Sequence, residues 1–263
     1  MSLPLPPLAE LAAAPGWQQV DCLSDLHLQA DMPDTLALLL RYLHSSQADA
    51  VFILGDLFEV WVGDDAIDEP GSFEAQCCTL LRQAAQLRPT YLLHGNRDFL
   101  IGPGFAAHTG ITLLADPTVL QLAGQRWLLT HGDALCLDDQ PYQRFRALVR
   151  DPAWQAQLLA RPLAERRATG RSARSESQAR KQAEDSLYAD VDMAAAQAWL
   201  QAARADAMVH GHTHLPADHR LPGGGMRHVL TDWEPSATPP RAGVLRLSAQ
   251  GCQRLALASA MAA

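Results

Sequence analysis

Asp25 with His27, Asp56, Asn96 with Arg97, His131, and His212 with His214 are the residues whose types and spacing could do chemistry. Aspartate oxygens, an amide oxygen and imidazole nitrogens form a hard-to-borderline donor set, better suited to Mn, Fe(II), Co or Zn than to Ca. No cysteine accompanies them, which argues against a structural zinc site. Asp25, His27, Asp56, Asn96, His131, His212 and His214 make seven candidate ligands, more than one ion needs. Two divalent ions about 3.5–4 Å apart, bridged by one carboxylate, would use them all. We assign the bridge to Asp56. Such a pair lowers the pKa of a water between the ions and clamps phosphoryl oxygens, which is the chemistry of phosphoester hydrolysis. Taken singly most of the motifs are weak, Asn after Gly being an ordinary turn residue, while Gly211-His212-Thr213-His214 is strong alone. Their order along the chain is what gives them weight.

Each motif follows an apolar run. Val51-Phe52-Ile53-Leu54 leads to Gly55-Asp56, and Val20-Asp21-Cys22-Leu23 leads to Asp25. Tyr91-Leu92-Leu93, Trp127-Leu128-Leu129 and Ala207-Met208-Val209 do the same for Asn96, His131 and His212. Runs this short read as buried strands. In an open α/β sheet, ligands bind beyond the strand ends. Thr35–Leu43, with Asp34 as N-cap, and Phe73–Leu87 are predicted helices. Strand–helix alternation followed by hairpins predicts an α/β layered sandwich, its early strands parallel.

From about 140 to 205 the strand signals vanish. Phe145, Leu148, Val149, Trp154, Leu158 and Leu159 recur at helical spacing among arginines. Ser172–Ser186 is polar and reads as weakly structured, and Val191–Ala203 as helical. The whole reads as a helical insertion between two ligand loops, placed to overhang the site as a lid. Residues 1–16 read as a loose tail without the basic start of a signal peptide. Residues 17–263 read as one domain carrying the insertion.

Net charge is −8, yet ten basic residues and three acids lie between Arg144 and Lys181. The acidic remainder argues against nucleic-acid binding. The basic stretch allows an anionic ligand or an anionic membrane surface. Five cysteines without a C-x-x-C pair fit reduced thiols in a cytosolic protein. His44, His94, His108, His219 and His228 read as surface or core residues, and His210 as a supporting one.

Asp25-Leu26-His27, Gly55-Asp56, Gly95-Asn96-Arg97-Asp98, His131-Gly132-Asp133 and Gly211-His212-Thr213-His214 resemble the calcineurin-like metallophosphoesterase superfamily. The resemblance implies a β-sandwich flanked by helices. It places Asp25, His27, Asp56 and His214 on one ion, and Asp56, Asn96, His131 and His212 on the other. Most of that superfamily has His after the Asn; here Arg97 stands there. A guanidinium stays charged and grips phosphate bidentately, so it would stabilise charge rather than donate a proton.

Longer matches are similar to the UDP-2,3-diacylglucosamine diphosphatase family of lipid A biosynthesis. They are Leu54 to Asp65, His94 to Leu100 and His131 to Asp139. This narrower resemblance implies hydrolysis of the diphosphate bond of an acylated UDP-sugar, giving UMP and lipid X, usually with two Mn2+ ions. It implies peripheral attachment to the anionic cytoplasmic face of the inner membrane, with a helical insertion that holds acyl chains. It puts Asp56, Asn96 and Arg97 in catalysis, and Asn96, Arg97, Asp139, Ser177 and His212 against substrate. Where the family carries Asn and then Lys after that Ser, this chain has Lys181 and Glu184. Lys181 is therefore taken as the substrate-binding lysine, one turn earlier. A phosphodiesterase for another nucleotide or nucleotide-sugar is the alternative reading, and a non-catalytic metal-binding scaffold a further one.

Overall fold

The computed structural model describes residues 6–183 and 190–262, with side chains over 6–175 and 190–261. Two six-stranded sheets pack face to face. In the first, β2 (Gln19–Leu23), β3 (Ala50–Leu54), β4 (Thr90–Leu93) and β5 (Thr112–Leu113) run parallel. The hairpin of β11 (Gly243–Ser248) and β12 (Gly251–Ala256) extends it antiparallel from β2. In the second, β7 (Gln125–Leu129), β8 (Ala207–His210) and β10 (Met226–Val229) are parallel, with β6 (Thr118–Leu122) and β9 (Asp218–Arg220) antiparallel beside them.

The unbroken apolar runs arise because each central strand is covered on both faces. Val20, Cys22, Phe52, Leu54 and Leu93 meet Leu120, Trp127, Leu129 and Val209 between the sheets. The alternate residues Leu23, Val51, Ile53 and Leu92 face a helical layer. That layer is α1 (Pro33–Ser45), α2 (Phe73–Ala85), α3 (Pro103–Thr109) and α8 (Leu257–Ala262). On the far side Val119, Leu128 and Met208 pack under Trp199 and Leu200 of α7 (Met193–Ala202). The layering is helix, sheet, sheet, helix, as the sequence predicts.

Three local expectations need correction. Asp34 does not cap α1: Met32 is the N-cap, makes no side-chain cap bond, and is followed by a proline. Proline's fixed φ starts the helix there. The tail is not loose throughout, because β1 (Ala9–Ala12) pairs parallel with β6, Leu11 opposite Leu120. Leu11 packs against the intersheet core, so the segment gains both burial and a ladder.

The third correction concerns the insertion, which carries α4 (Gln140–Val149), α5 (Pro152–Leu159) and α6 (Leu163–Ala183). The stretch from Ser172 is helical as far as Ala183, and the expectation for residues 184–186 lies outside the described residues. What seats the helix is charge rather than an apolar stripe. Buried Arg166 forks onto Asp65 and the Val62 carbonyl, and Arg167 pairs with Glu69 and Glu74.

Candidate metal centre

The parallel strands of both sheets end at one edge, and the candidate ligands lie just beyond those ends. β2 delivers Asp25 and His27, β3 Asp56, β4 Asn96, β7 His131, and β8 His212 and His214. The backbone turns hard to do this. Asp25, His27, Asp56, His212 and His214 all have φ between 49° and 66°. Left-handed backbone is costly outside glycine and persists where surrounding structure enforces it. Here it is enforced: the amides of Leu26 and His27 donate to the Asp56 carbonyl at 2.9 and 3.0 Å, and Trp233 N–H to the Asp25 carbonyl at 3.0 Å. Gly95 is needed for space. A Cβ there would fall on the Asp56 carboxylate and backbone.

The donors converge in two groups. Asp25, His27 and His214 offer ligand atoms all within 4.8 Å of one another, and so do Asp25, Asp56 and His131. Asn96 Oδ1 joins the second group, 3.0 Å from His131 Nε2 and 2.8 Å from His212 Nδ1. Asp25 is common to both groups, and Asp56 of the second group also reaches toward the first, with Oδ2 3.8 Å from His27 Nε2 and Oδ1 3.7 Å from His131 Nε2. All seven expected ligands are thus brought together.

The hydrogen bonding asks for positive charge at these points. His131 Nδ1 donates to the Leu54 carbonyl at 2.9 Å, so its Nε2 carries a lone pair in the neutral ring. That lone pair meets the oxygens of Asn96 and Asp56. Only a proton or a metal ion makes the contact favourable. His27 Nε2 and His214 Nε2 face each other at 3.3 Å, close enough to share one proton or one ion. Burial opposes a charged His131, but Asp56, Asp133 and Asp25 push its pKa up to about 9. A divalent ion would take the place of that proton. Burial and the His131 charge push His212 down to about 3, which keeps it neutral as a ligand must be. Asp25 is held well below the usual carboxylate range: burial opposes this, and His214, His131 and His27 outweigh it. The donor set therefore fits a pair of divalent cations.

Residues to which the sequence reading gives no individual role complete the site. Asp98 is fully buried and accepts from Leu57 N–H and Gly95 N–H, both at 2.7 Å, tying the loops after β3 and β4 together. Asp133 accepts from Tyr142 Oη at 2.5 Å and Arg146 Nε at 2.8 Å, fixing α4 to the His131 loop. The Tyr142 ring then lies 5.8 Å from that of His212. Arg150 donates to the Gly95 carbonyl at 2.8 Å. Glu59 lies 2.8 Å from His27 Nδ1. Leu57 for Asp98, Gly95 for Arg150 and His27 for Glu59 are distant in sequence, so no local pattern announces those contacts. His210 is buried, with burial pushing it down to about 4, and supports the Gly132 turn.

The substrate-facing expectations fare unevenly. Arg97 is at the site: its N–H donates to Asp56 Oδ1 at 2.8 Å, and its guanidinium lies 3.9 Å from Glu59. Asp139 is exposed and caps α4, accepting from Tyr142 N–H at 2.9 Å. The side chains of Ser177 and Lys181, and all of Glu184, lie outside the described residues.

A family model for calcineurin-like phosphoesterases matches residues 19–216, a span that takes in every candidate ligand. The chain belongs to the calcineurin-like phosphoesterase family. Its curated relatives include a UDP-2,3-diacylglucosamine hydrolase from Stenotrophomonas maltophilia, 44% identical over 241 residues, covering 87% of this chain and 94% of that one. Proteins of the same name from Bordetella pertussis and Chromobacterium violaceum are each 45% identical. They cover 88% and 89% of this chain, and 92% and 97% of their own lengths. The calcineurin-like phosphoesterase family is one of metal-dependent hydrolases.

Proposed function

We propose that the chain hydrolyses the diphosphate bond of UDP-2,3-diacylglucosamine, releasing UMP and 2,3-diacylglucosamine 1-phosphate, in lipid A biosynthesis. One observation carries this reading. An intact seven-residue ligand set lies in a chain 44–45% identical, almost end to end, to proteins of that name.

Asp25, His27, Asp56 and His214 would hold one ion, and Asp56, Asn96, His131 and His212 the other, with Mn2+ the metal we favour. Bound there, the ions would polarise a phosphoryl oxygen and make water nucleophilic near neutral pH. The protein's own work is orientation. Leu54 fixes the His131 ring. The Arg97 N–H fixes the Asp56 carboxylate, while its guanidinium, 3.9 Å from Glu59, would neutralise charge gathering on the diphosphate. Asp139, Ser177, Lys181 and His212 are our candidate contacts to the UDP-sugar.

Apolar side chains of the insertion support an acylated substrate. Phe145, Leu148 and Leu159 are exposed among arginines, a surface suited to fatty chains with anionic heads. No helix among the described residues is long and apolar enough to cross a membrane. We propose peripheral attachment at the cytoplasmic face of the inner membrane, through the exposed apolar and basic surface of the insertion and the lipid substrate.

The test is UMP release from UDP-2,3-diacylglucosamine, with chelator and with metals restored one at a time. Activity should vanish with chelator and return best with Mn2+. Equal turnover of a deacylated UDP-sugar would replace this reading with a broader nucleotide phosphodiesterase.

A further inference from the structure

Glu59 is a charged residue in an otherwise apolar run, Leu57-Phe58-Glu59-Val60-Trp61-Val62, and only 8% exposed. A carboxylate taken that far out of water needs partners. It has three, from three parts of the chain. Oε2 lies 2.8 Å from Nδ1 of the candidate ligand His27. Oε1 lies 2.9 Å from Nε of Arg174, on α6. Arg97 Nη1 lies 3.9 Å from Oε1. The His27 and Arg174 nitrogens approach off the lines of their N–H bonds, so these are charge contacts rather than aligned hydrogen bonds.

The helix is built to reach this point. Arg166, Gly170 and Arg174 recur every four residues and share one face of α6. Arg166 is pinned to Asp65. At Gly170 a Cβ would stand 2.8 Å from Val60 Cγ1, so the helix lies against the strand-end loop without a side chain between. Arg174 then arrives at Glu59. The face thus runs from a fixed anchor to the back of a metal ligand.

We propose that Glu59 is a positioning residue that couples the seat of α6 to the first ion position. With one oxygen its charge favours the proton on His27 Nδ1, leaving Nε2 for the ion. With the other it holds Arg174. The two holds compete for one charge. An anionic substrate that draws Arg174 or Arg97 toward itself leaves more of the Glu59 charge on His27, which strengthens that ligand as the site fills. Coupling of this kind is reciprocal, so a bound ion must also alter the seat of α6. The inference rests on the metal reading above.

The experiment measures divalent-ion affinity directly, using Mn2+ in competition with a chromophoric chelator. The proteins are wild type, Glu59→Gln, Arg174→Met and the double variant. Hydrogen exchange over 163–175 is followed with and without Mn2+. Glu59→Gln should weaken binding by about tenfold or more, as for loss of a ligand's orienting partner. Arg174→Met should tighten binding by about two- to fivefold in the wild-type background and have no effect when Glu59 is already Gln, because interacting sites are not additive. Added Mn2+ should change exchange in α6 of the wild type but not of Glu59→Gln. An Arg174→Met effect of equal size in both backgrounds would be plain long-range repulsion and would overturn the coupling. So would no effect in either. Arg174 is partly exposed, so its variant tests the idea even if Glu59→Gln folds poorly. A wild-type chain that binds no Mn2+ defeats the metal reading itself, and this proposal with it.

Discussion

Asp56 faces His27 at 3.8 Å on one side and His131 at 3.7 Å on the other. Asp56→Ala should therefore remove a donor from both ion positions and abolish hydrolysis, with bound metal falling below two per chain by elemental analysis. Arg97→Ala differs because its backbone N–H, which holds Asp56, survives. Only the guanidinium is lost, so the metal content should stay normal while kcat drops by about 100-fold, the usual cost of one charge-stabilising donor. Near-normal turnover would exclude Arg97 from the chemistry. The ligands were legible in the sequence because each follows an apolar run that reads as a covered strand. The residues that aim them were not. The Leu54 carbonyl and Glu59 act on partners brought close by the fold, 77 and 32 positions away for His131 and His27.

Among the elements, α6 and β1 show where pattern reading fails. Helix α6 has no apolar stripe to give a helical period. Its seat is built from Arg166, Arg167 and Arg174, which look the same as solvated arginines until Asp65, Glu69 and Glu59 are placed opposite them. Strand β1 reads Ala-Glu-Leu-Ala, too short and too mild to announce an edge strand. Gly170 offers the sharpest test of the helix. Gly170→Leu would drive a branched side chain into Val60 and Val62 and lift α6. We expect KM for the acylated substrate to rise several-fold, with faster proteolysis of the insertion, while turnover of a small chromogenic diester is unchanged. Equal losses on both substrates would make the segment scaffold rather than lid.

Across the whole molecule, buried ion pairs tie distant segments together. Asp21 is fully buried and takes Arg246 Nε at 2.7 Å, Arg246 Nη2 at 2.9 Å and Tyr42 Oη at 2.8 Å, joining β2, β11 and α1. Arg246→Met leaves that carboxylate uncompensated and should cost about 3–5 kcal/mol, read from denaturant unfolding. Acid should loosen the fold elsewhere. The Arg227 hydrogen bond lowers the Asp190 pKa. Asp65 is likewise lowered, by its Arg166 hydrogen bond. For Asp218, burial works the other way, and Arg254 with His228 prevails to lower it. A carboxylate with a depressed folded pKa contributes stability that is complete above its unfolded value of about 3.9 and is lost as pH falls through the folded one. Stability should hold from neutrality to about pH 5 and then decline steadily, and a flat profile to pH 3 would contradict these pairs. The N-terminal ribbon has a consequence of another kind. With β1 in place, the outer rim of β6 is hydrogen-bonded and closed. A shortened chain beginning after Ala12 would keep every catalytic group, yet bare a row of amides along Thr118–Leu122, an invitation for two such molecules to zip together edge to edge.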